Sequence, residues 1–140
     1  MRRGVFEQSL QLALRGARAL ALCVFTYTVI LAGYVAVHQF CRVGKLAMIG
    51  GCSKVRQDVP PFMLADGGPA RTVTVNKVGL ERAGLREEAQ TALRQAYKLL
   101  FREGLTISNA LVRIEQELPP LPEVQYLVQF VRASERGISK

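Results

Sequence analysis

Cysteine and histidine are scarce in this chain, and that scarcity argues against metal centres and disulfide frameworks. Its 140 residues include a single histidine, His38, and three cysteines, Cys23, Cys41 and Cys52. The cysteine number is odd and the spacings fit neither a zinc site nor paired disulfides, so we expect reduced thiols in a cytoplasmic protein. A phosphate-binding loop, a dinucleotide fingerprint and a Ser/His/Asp arrangement are also missing from the sequence, so we expect no metal and no cofactor.

Acidic residues are in the minority, with 11 against 19 basic ones and a formal net charge of +8. This excess suggests either an anionic partner or simply a solvated basic surface. The sequence has no zinc finger and no basic stripe interleaved with aromatic residues, so nucleic acid is not an expected partner. Hydrophobic residues make up 49% and charged residues 21%, an ordinary mixture for one globular domain.

A period of six is the most informative pattern that is present. The apolar members of this repeat are Leu31, Val37, Val43, Ile49 and Val55. The short side chains that follow them by four positions are Val35, Cys41, Ala47, Ser53 and Val59. The period is neither helical nor that of a half-buried strand, and it is typical of a β-solenoid with three hexads to each triangular coil. We expect the apolar residues to point inward, Gly44 and Gly50 to take tight corners, and Pro60–Pro61 to end the run.

Residues 1–30 have a different character. Several arginines precede an uncharged run from Ala19 to Val37, which is long enough to just cross a bilayer. The arginines lie on the side that would stay cytoplasmic. Because 31–37 also belong to the hexads, we predict instead a helix over 5–22 and a β-prone stretch over 24–30. Membrane association through residues 5–37 remains the alternative.

The rest of the chain predicts an irregular connection followed by helices. Residues 61–84 form the connection, with one short strand over Arg71–Val75. An apolar stripe predicts a first helix over 85–103, and Thr106 or Ser108 is suited to cap a second. Pro122 suits the first turn of a third. The predicted fold is therefore α+β: a helical leader over 1–30, a short parallel β-helix remnant of under two coils with its connection over 31–84, and a three-helix C-terminal domain over 85–140.

Several strings in order resemble one family. They are VHQFCRVGKLAMIGGCSKVRQDVP at 37–60, PFMLADGGPA at 61–70, VNKVGLERAGL at 75–85, AYKLLFREG at 96–104 and ERGI at 135–138. Together they resemble the C-terminal portion of the UDP-N-acetylglucosamine O-acyltransferases of lipid A biosynthesis. The resemblance implies a left-handed β-helix, a helical domain and a homotrimer. It also implies transfer of a 3-hydroxyacyl chain from acyl carrier protein to the glucosamine 3-hydroxyl of the UDP-sugar.

The same resemblance assigns site residues. His38, Gln39, Asn76 and Arg82 match family positions that bind the UDP-sugar. Amides suit the edge of a base and guanidinium suits phosphate oxygens. Because Gln39 directly follows His38, strand geometry predicts that the two point to opposite faces, so that different subunits use them.

Met48 and Gly51 match positions along the acyl-chain groove of the family. Two neighbours of the UDP-sugar residues depart from the family pattern. Val78 stands where an acidic residue is common, and Ala83 replaces a second arginine. The loss of that guanidinium is expected to weaken nucleotide binding.

We do not expect catalysis by this chain alone. The family's general base lies in an upstream His-rich string that has no counterpart here, and His38 is only a candidate for that role. The resemblance thus predicts a truncated chain that is inactive alone, with no assigned catalytic residue. The alternatives are a non-catalytic trimerising module that binds UDP-sugar or acyl carrier protein, and a membrane-associated fragment.

Overall fold

Six two-residue strands recur at six-residue intervals and form the coil that the hexads predicted. The computed structural model describes residues 24–25, 30–31 and 33–140. The strands are β1 Val24–Phe25, β2 Ile30–Leu31, β3 Ala36–Val37, β4 Arg42–Val43, β5 Met48–Ile49 and β6 Lys54–Val55. Each of the first three pairs in parallel with the strand three places later, as when Val24 lies opposite Arg42 and Ala36 opposite Lys54. Partners are thus 18 positions apart (24 to 42, 36 to 54), or three hexads to a coil.

The inside of the coil is filled as the repeat predicted. From Cys41 onward, the apolar members of the repeat and the short side chains that follow them by four positions are at most 1% exposed. They are Cys41, Val43, Ala47, Ile49, Ser53, Val55 and Val59. Val35 and Val37 are partly buried and pack against this cluster. Because each strand contributes only one large and one small inward side chain per hexad, the three walls meet in a narrow apolar interior.

The coil begins earlier than residue 31, which corrects the predicted boundary. β1 and β2 pair with β4 and β5 and complete two coils rather than fewer than two. They fall in the stretch over 24–30 whose β-prone character was recognised but assigned to the leader. The helix predicted over 5–22 lies outside the described residues, and the left-handed sense of the coil stays an expectation from the resemblance.

The coil corners are not made by glycine, contrary to expectation. The left-handed backbone conformation recurs every six residues at Tyr34, Phe40, Leu46 and Cys52, with φ between 55° and 64°. Gly44 and Gly50 instead lie where neighbouring groups approach closely. A Cβ atom on Gly44 would lie 2.4 Å from the backbone nitrogen of Pro61, and one on Gly50 would lie 2.6 Å from a carboxylate oxygen of Asp66. Their missing side chains provide space rather than a turn.

A hairpin follows the coil where an irregular connection was predicted. β7 Met63–Gly67 pairs in parallel with β5, and β8 Ala70–Val75 pairs antiparallel with β7. The strand predicted over Arg71–Val75 is confirmed, whereas β7 was missed. A short helix, α1 Lys77–Arg82, then begins behind the cap residue Asn76 and was also missed.

Three longer helices complete the fold, as predicted. They are α2 Glu87–Phe101, α3 Ile107–Glu117 and α4 Pro122–Arg132. The first starts later than residue 85 because Gly84, with φ of 73°, separates it from α1. Thr106 rather than Ser108 caps α3, since its Oγ1 accepts a hydrogen bond from the Asn109 backbone N–H at 3.3 Å. Among the described residues, no helix combines the length and apolar character needed to cross a bilayer.

Coil and helices share one core. Leu46 and Phe62, both at left-handed corners, are buried in the same cluster as the inward faces of the helices. The ring of Phe62 meets that of Tyr126 edge-on at a centroid distance of 5.9 Å. The helical domain therefore covers the second coil directly and is not a separate body on a linker.

The C-terminal tail, residues 133–140, returns to the end of the coil. Asp58 N–H donates to the Gly137 carbonyl (3.0 Å), and Ser139 N–H donates to the Asp58 carbonyl (2.8 Å). The buried Asp58 carboxylate also accepts from the Arg42 backbone N–H and the Ser134 hydroxyl, each at 2.7 Å. These contacts join the end of the coil to the tail.

Candidate functional site

His38 and Gln39 lie in an exposed turn directly after β3. Because β3 ends at Val37, both residues follow the strand, and the prediction that they point to opposite faces stays a prediction. Both side chains are exposed, and the Nδ1 atom of His38 lies 2.8 Å from the Gln39 carbonyl oxygen.

His38 borders a groove between β3 and β6 with a volume of about 490 Å³. The described residues that line this groove, the His38 groove, are Ala36, Val37, His38, Lys54, Val55, Arg56 and Arg136. On its outward face Ala36 lies opposite Lys54 in the parallel register, while Val37 and Val55 pack in the core of the coil. Its rim is basic, and none of the described lining residues is acidic.

Sequence reasoning missed the basic members of the His38 groove. Lys54 and Arg56 flank the inward Val55, and this alternation was the available signal because residues two apart in an extended segment share a face. Arg136 had no such signal. It belongs to the tail, which reaches the groove only through the tertiary fold, and its Nη2 donates to the Arg56 carbonyl at 3.4 Å.

Asn76 has a structural role that the sequence assignment did not include. It is only 4% exposed, its Nδ2 donates to the Leu46 carbonyl at 2.9 Å, and its Oδ1 accepts from the Gly79 backbone N–H at 3.1 Å. Both ends of the amide thus connect α1 to the coil. An asparagine immediately before a helix was the signal for this cap.

Arg82 is exposed at the last residue of α1. Neither Arg82 nor Asn76 lines the His38 groove. Within one chain the structure therefore brings His38 and Gln39 together, while it places Asn76 and Arg82 on a different element. Val78, the departure from the family pattern, is 54% exposed on the same helix as Arg82.

Met48 and Gly51 lie on and just after β5. Met48 is half-buried on the outward face, and its partner across the parallel register, Leu64 of β7, is half-buried as well. These two side chains form an outward apolar pair beside the exposed turn that holds Gly51. The predicted acyl-chain role stays a prediction, and the apolar pair is the feature that would serve it.

The clearest electrostatic perturbations lie in the helical domain. Arg132 donates two 2.7 Å hydrogen bonds to Glu115, which lower the pKa of that carboxyl. Arg113 hydrogen-bonds Glu117 and Glu103, and these contacts raise its own pKa. In the described part of the chain, no group of three or more His, Cys, Asp or Glu residues is placed to hold a metal ion.

Sequence comparisons agree with this architecture. A family model described as UDP-N-acetylglucosamine O-acyltransferase, domain 2, matches residues 58–139. The acyl-[acyl-carrier-protein]–UDP-N-acetylglucosamine O-acyltransferase of Myxococcus xanthus is 44% identical over 112 residues, which are 80% of this chain and 43% of the relative. The protein of the same name from Thiobacillus denitrificans is 46% identical over 109 residues, 78% of this chain and 42% of the relative.

Solved structures match as well. A UDP-N-acetylglucosamine acyltransferase from Bacteroides fragilis superimposes with a TM-score of 0.80 at 38% identity, covering 84% of this chain and 46% of that one. The Arabidopsis UDP-N-acetylglucosamine acyltransferase gives 0.79 at 36% identity, covering 84% and 44%. The chain spans about two fifths of the length of the curated relatives it matches.

Proposed function

Since this chain belongs to the family of UDP-N-acetylglucosamine O-acyltransferases, we propose that it carries the nucleotide-sugar and acyl-chain binding end of such an enzyme. The reaction served is transfer of a 3-hydroxyacyl chain from acyl carrier protein to UDP-N-acetylglucosamine in lipid A biosynthesis. The observation that carries the proposal is the match to the Bacteroides fragilis enzyme, which covers 84% of this chain at a TM-score of 0.80. The match therefore includes the helices as well as the repeats of the coil.

The proposed binding roles follow from the exposed polar groups. The Gln39 amide and the Arg82 guanidinium are both exposed and suited to the uridine and phosphate parts of the nucleotide. Asn76 differs, because its buried amide is already bonded to Leu46 and Gly79, and its proposed contribution is to hold α1, and with it Arg82, against the coil. Because Arg82 does not line the His38 groove of its own chain, the proposal includes a homotrimer of left-handed coils in which neighbouring copies complete each site.

The acyl chain and its carrier are proposed to meet other surfaces. The outward pair Met48 and Leu64 beside Gly51 offers an apolar wall for the acyl chain. The net charge of +8 suits an acidic carrier protein. Such a partner and a nucleotide sugar place the proposed function in the cytoplasm.

Binding without turnover by this chain alone is the proposed activity. His38 is the one histidine of the sequence, and the resemblance matches it to a ligand-contacting position rather than to the general base. A second candidate, catalysis by His38, is favoured by one contact. With the proton on Nδ1, the ring donates to the Gln39 carbonyl at 2.8 Å, a contact that fixes the tautomer and orientation of the imidazole.

The test measures binding and transfer separately on the full chain. Titration calorimetry with UDP-N-acetylglucosamine is expected to show binding that weakens in Arg82→Gln and is unchanged in Arg71→Gln, an exposed arginine on β8. Mass spectrometry after addition of 3-hydroxyacyl carrier protein is expected to show no acylated sugar. Absence of binding would overturn the proposed function, and a product that disappears in His38→Ala would establish the second candidate.

A further inference from the structure

We propose that the His38 groove binds a phosphate-bearing group and that Arg136 of the C-terminal tail is one of its ligands. The inference rests on the proposed function for the source of that phosphate. It concerns Lys54, Arg56 and Arg136, which carry no role in the assignment of nucleotide-sugar and acyl-chain residues.

The groove concentrates positive charge on an open face. Lys54 and Arg56 are both exposed on the outward side of β6 and the turn after it. The residue opposite Lys54 in the register is Ala36, whose short side chain leaves space between the two basic groups and His38. Charged nitrogen donors around an open groove favour an anion with several acceptor oxygens.

Arg136 is held at this groove by the fold of the tail. The Gln57 side-chain amide donates to the Arg136 carbonyl at 3.1 Å, and the next residue, Gly137, accepts from Asp58 N–H at 3.0 Å. The guanidinium itself donates to the Arg56 carbonyl through Nη2 at 3.4 Å, which leaves its other donors for a ligand. An arginine positioned in advance loses less conformational freedom on binding.

Two acidic residues lie near the His38 groove, but neither is among the described residues that line it. Asp58 and Glu135 line an adjacent groove that Arg136 also borders. The Asp58 carboxylate is buried and accepts hydrogen bonds from Arg42 N–H and Ser134. Lys54, Arg56 and Arg136 surround the ligand space together with His38.

The size of the groove points to a phosphate attached to a larger molecule. About 490 Å³ is more than a free phosphate fills and lies in the range of small organic ligands. Under the proposed function, two sources supply this chemistry. One is the diphosphate of the nucleotide sugar, and the other is the phosphodiester of the carrier protein's pantetheine arm.

The first experiment titrates inorganic pyrophosphate into the full chain by calorimetry. Lys54→Gln and Arg136→Gln are each expected to weaken binding about three- to ten-fold, the effect of losing one charge-assisted contact. Arg86→Gln is the matched control, because Arg86 is exposed before α2 and outside the groove. Binding that is absent, or that the control weakens as much as the two groove variants, would overturn the inference.

Thermal unfolding separates binding from tail anchoring. Arg136→Gln removes a hydrogen bond to the coil, so its melting temperature is measured beside that of Lys54→Gln, whose exposed side chain supports no described tail contact. Weaker pyrophosphate binding in Lys54→Gln at an unchanged melting temperature supports the proposal. Weaker binding only in Arg136→Gln, together with a lower melting temperature, overturns it.

Repeating the titration with UDP and with 4′-phosphopantetheine identifies the source. The ligand whose affinity falls in Lys54→Gln is the one that the groove holds, and no fall for either ligand overturns the inference. If pyrophosphate does not bind while UDP-N-acetylglucosamine still binds, only the inference about the His38 groove is contradicted. If UDP-N-acetylglucosamine does not bind while pyrophosphate does, only the proposed function is contradicted.

Discussion

Asp58 shows how one buried carboxylate connects the end of the coil to the tail. Its side chain is 1% exposed and accepts from the Arg42 backbone N–H and the Ser134 hydroxyl at 2.7 Å each. Arg42 itself lies over the ring of Phe130, 4.4 Å from its centroid, and donates to the Ala133 carbonyl. Coil, last helix and tail thus meet around a single residue.

Asp58→Asn is expected to destabilise the protein by about 1–3 kcal/mol. The amide oxygen can still accept from Arg42 N–H and the amide N–H₂ can donate to the Ser134 hydroxyl, but both buried hydrogen bonds lose the strength that the carboxylate charge gives them. Chemical denaturation monitored by circular dichroism measures the change. Glu135→Gln removes the same charge from an exposed neighbouring position, and a comparable loss in that control would contradict the assignment.

Gly44→Ala is expected to cost about 2 kcal/mol or more, because the added methyl would overlap backbone atoms that cannot rotate away. The Cβ atom would lie 2.4 Å from the Pro61 nitrogen and 2.5 Å from its Cα. Gly33→Ala is the control, since no described atom lies within 4 Å of its added Cβ. Equal melting temperatures for the two variants would contradict the expected overlap between the added methyl group at Gly44 and Pro61.

Single residues divide into those that the sequence predicts and those it does not. Inward positions such as Val43 and Ile49 follow from the period of six, because burial repeats with the coil. The corners were assigned to glycine, whereas Phe40 and Leu46 adopt the left-handed conformation there. The part of the site that the C-terminal tail supplies could not be predicted, because no local sequence pattern relates Arg136 to Lys54.

At the scale of elements, the start of α3 offers a matched pair of hydroxyl residues. Thr106→Ala is expected to destabilise the protein by about 1 kcal/mol, because the first turn loses its side-chain acceptor. Ser108 stands inside the exposed first turn and does not cap. Ser108→Ala is therefore expected to leave the denaturation midpoint nearly unchanged. A larger loss in Ser108→Ala than in Thr106→Ala would reverse the assignment.

The ion pair between α3 and α4 should give a measurable pH response. Hydrogen bonding to Arg132 lowers the pKa of Glu115 below its ordinary 4.5. A carboxyl whose pKa is lower in the folded state than in the unfolded state stabilises the fold at pH values above its ordinary pKa. This stabilisation is lost as the pH falls through the lowered pKa of the folded state. In Arg132→Gln, the NMR titration midpoint of Glu115 is expected to move up. Arg94→Gln, on α2, should leave it unchanged, and an unmoved midpoint in Arg132→Gln would contradict the cause.

Long elements were predictable and short ones were not. Apolar stripes of three turns or more located α2, α3 and α4, since a helical period is distinct over that length. β7 breaks the period of six after the prolines and was assigned to a connection. α1, with six residues, is too short to show a stripe, and only its cap Asn76 marked it.

At the scale of the whole molecule, coil and helices are expected to unfold together. The corner residues Leu46 and Phe62 share their core with α2, α3 and α4. Leu93→Ala, at a fully buried position of α2, is expected to cost about 2–5 kcal/mol. Far-ultraviolet circular dichroism and tyrosine fluorescence should report one coincident transition for the parent and the variant. Two separate transitions would contradict a shared core.

The hairpin of β7 and β8 also covers the wall of β5 at the C-terminal end of the coil. A parallel coil presents unpaired backbone groups to whatever chain arrives next, and strands of other molecules can extend it. Here β8 runs in the opposite direction, its Thr72 N–H donates to the Ser139 carbonyl, and its Val73 carbonyl accepts from the Tyr97 hydroxyl. With these two groups occupied, β8 offers fewer free backbone donors and acceptors to a strand arriving from another molecule.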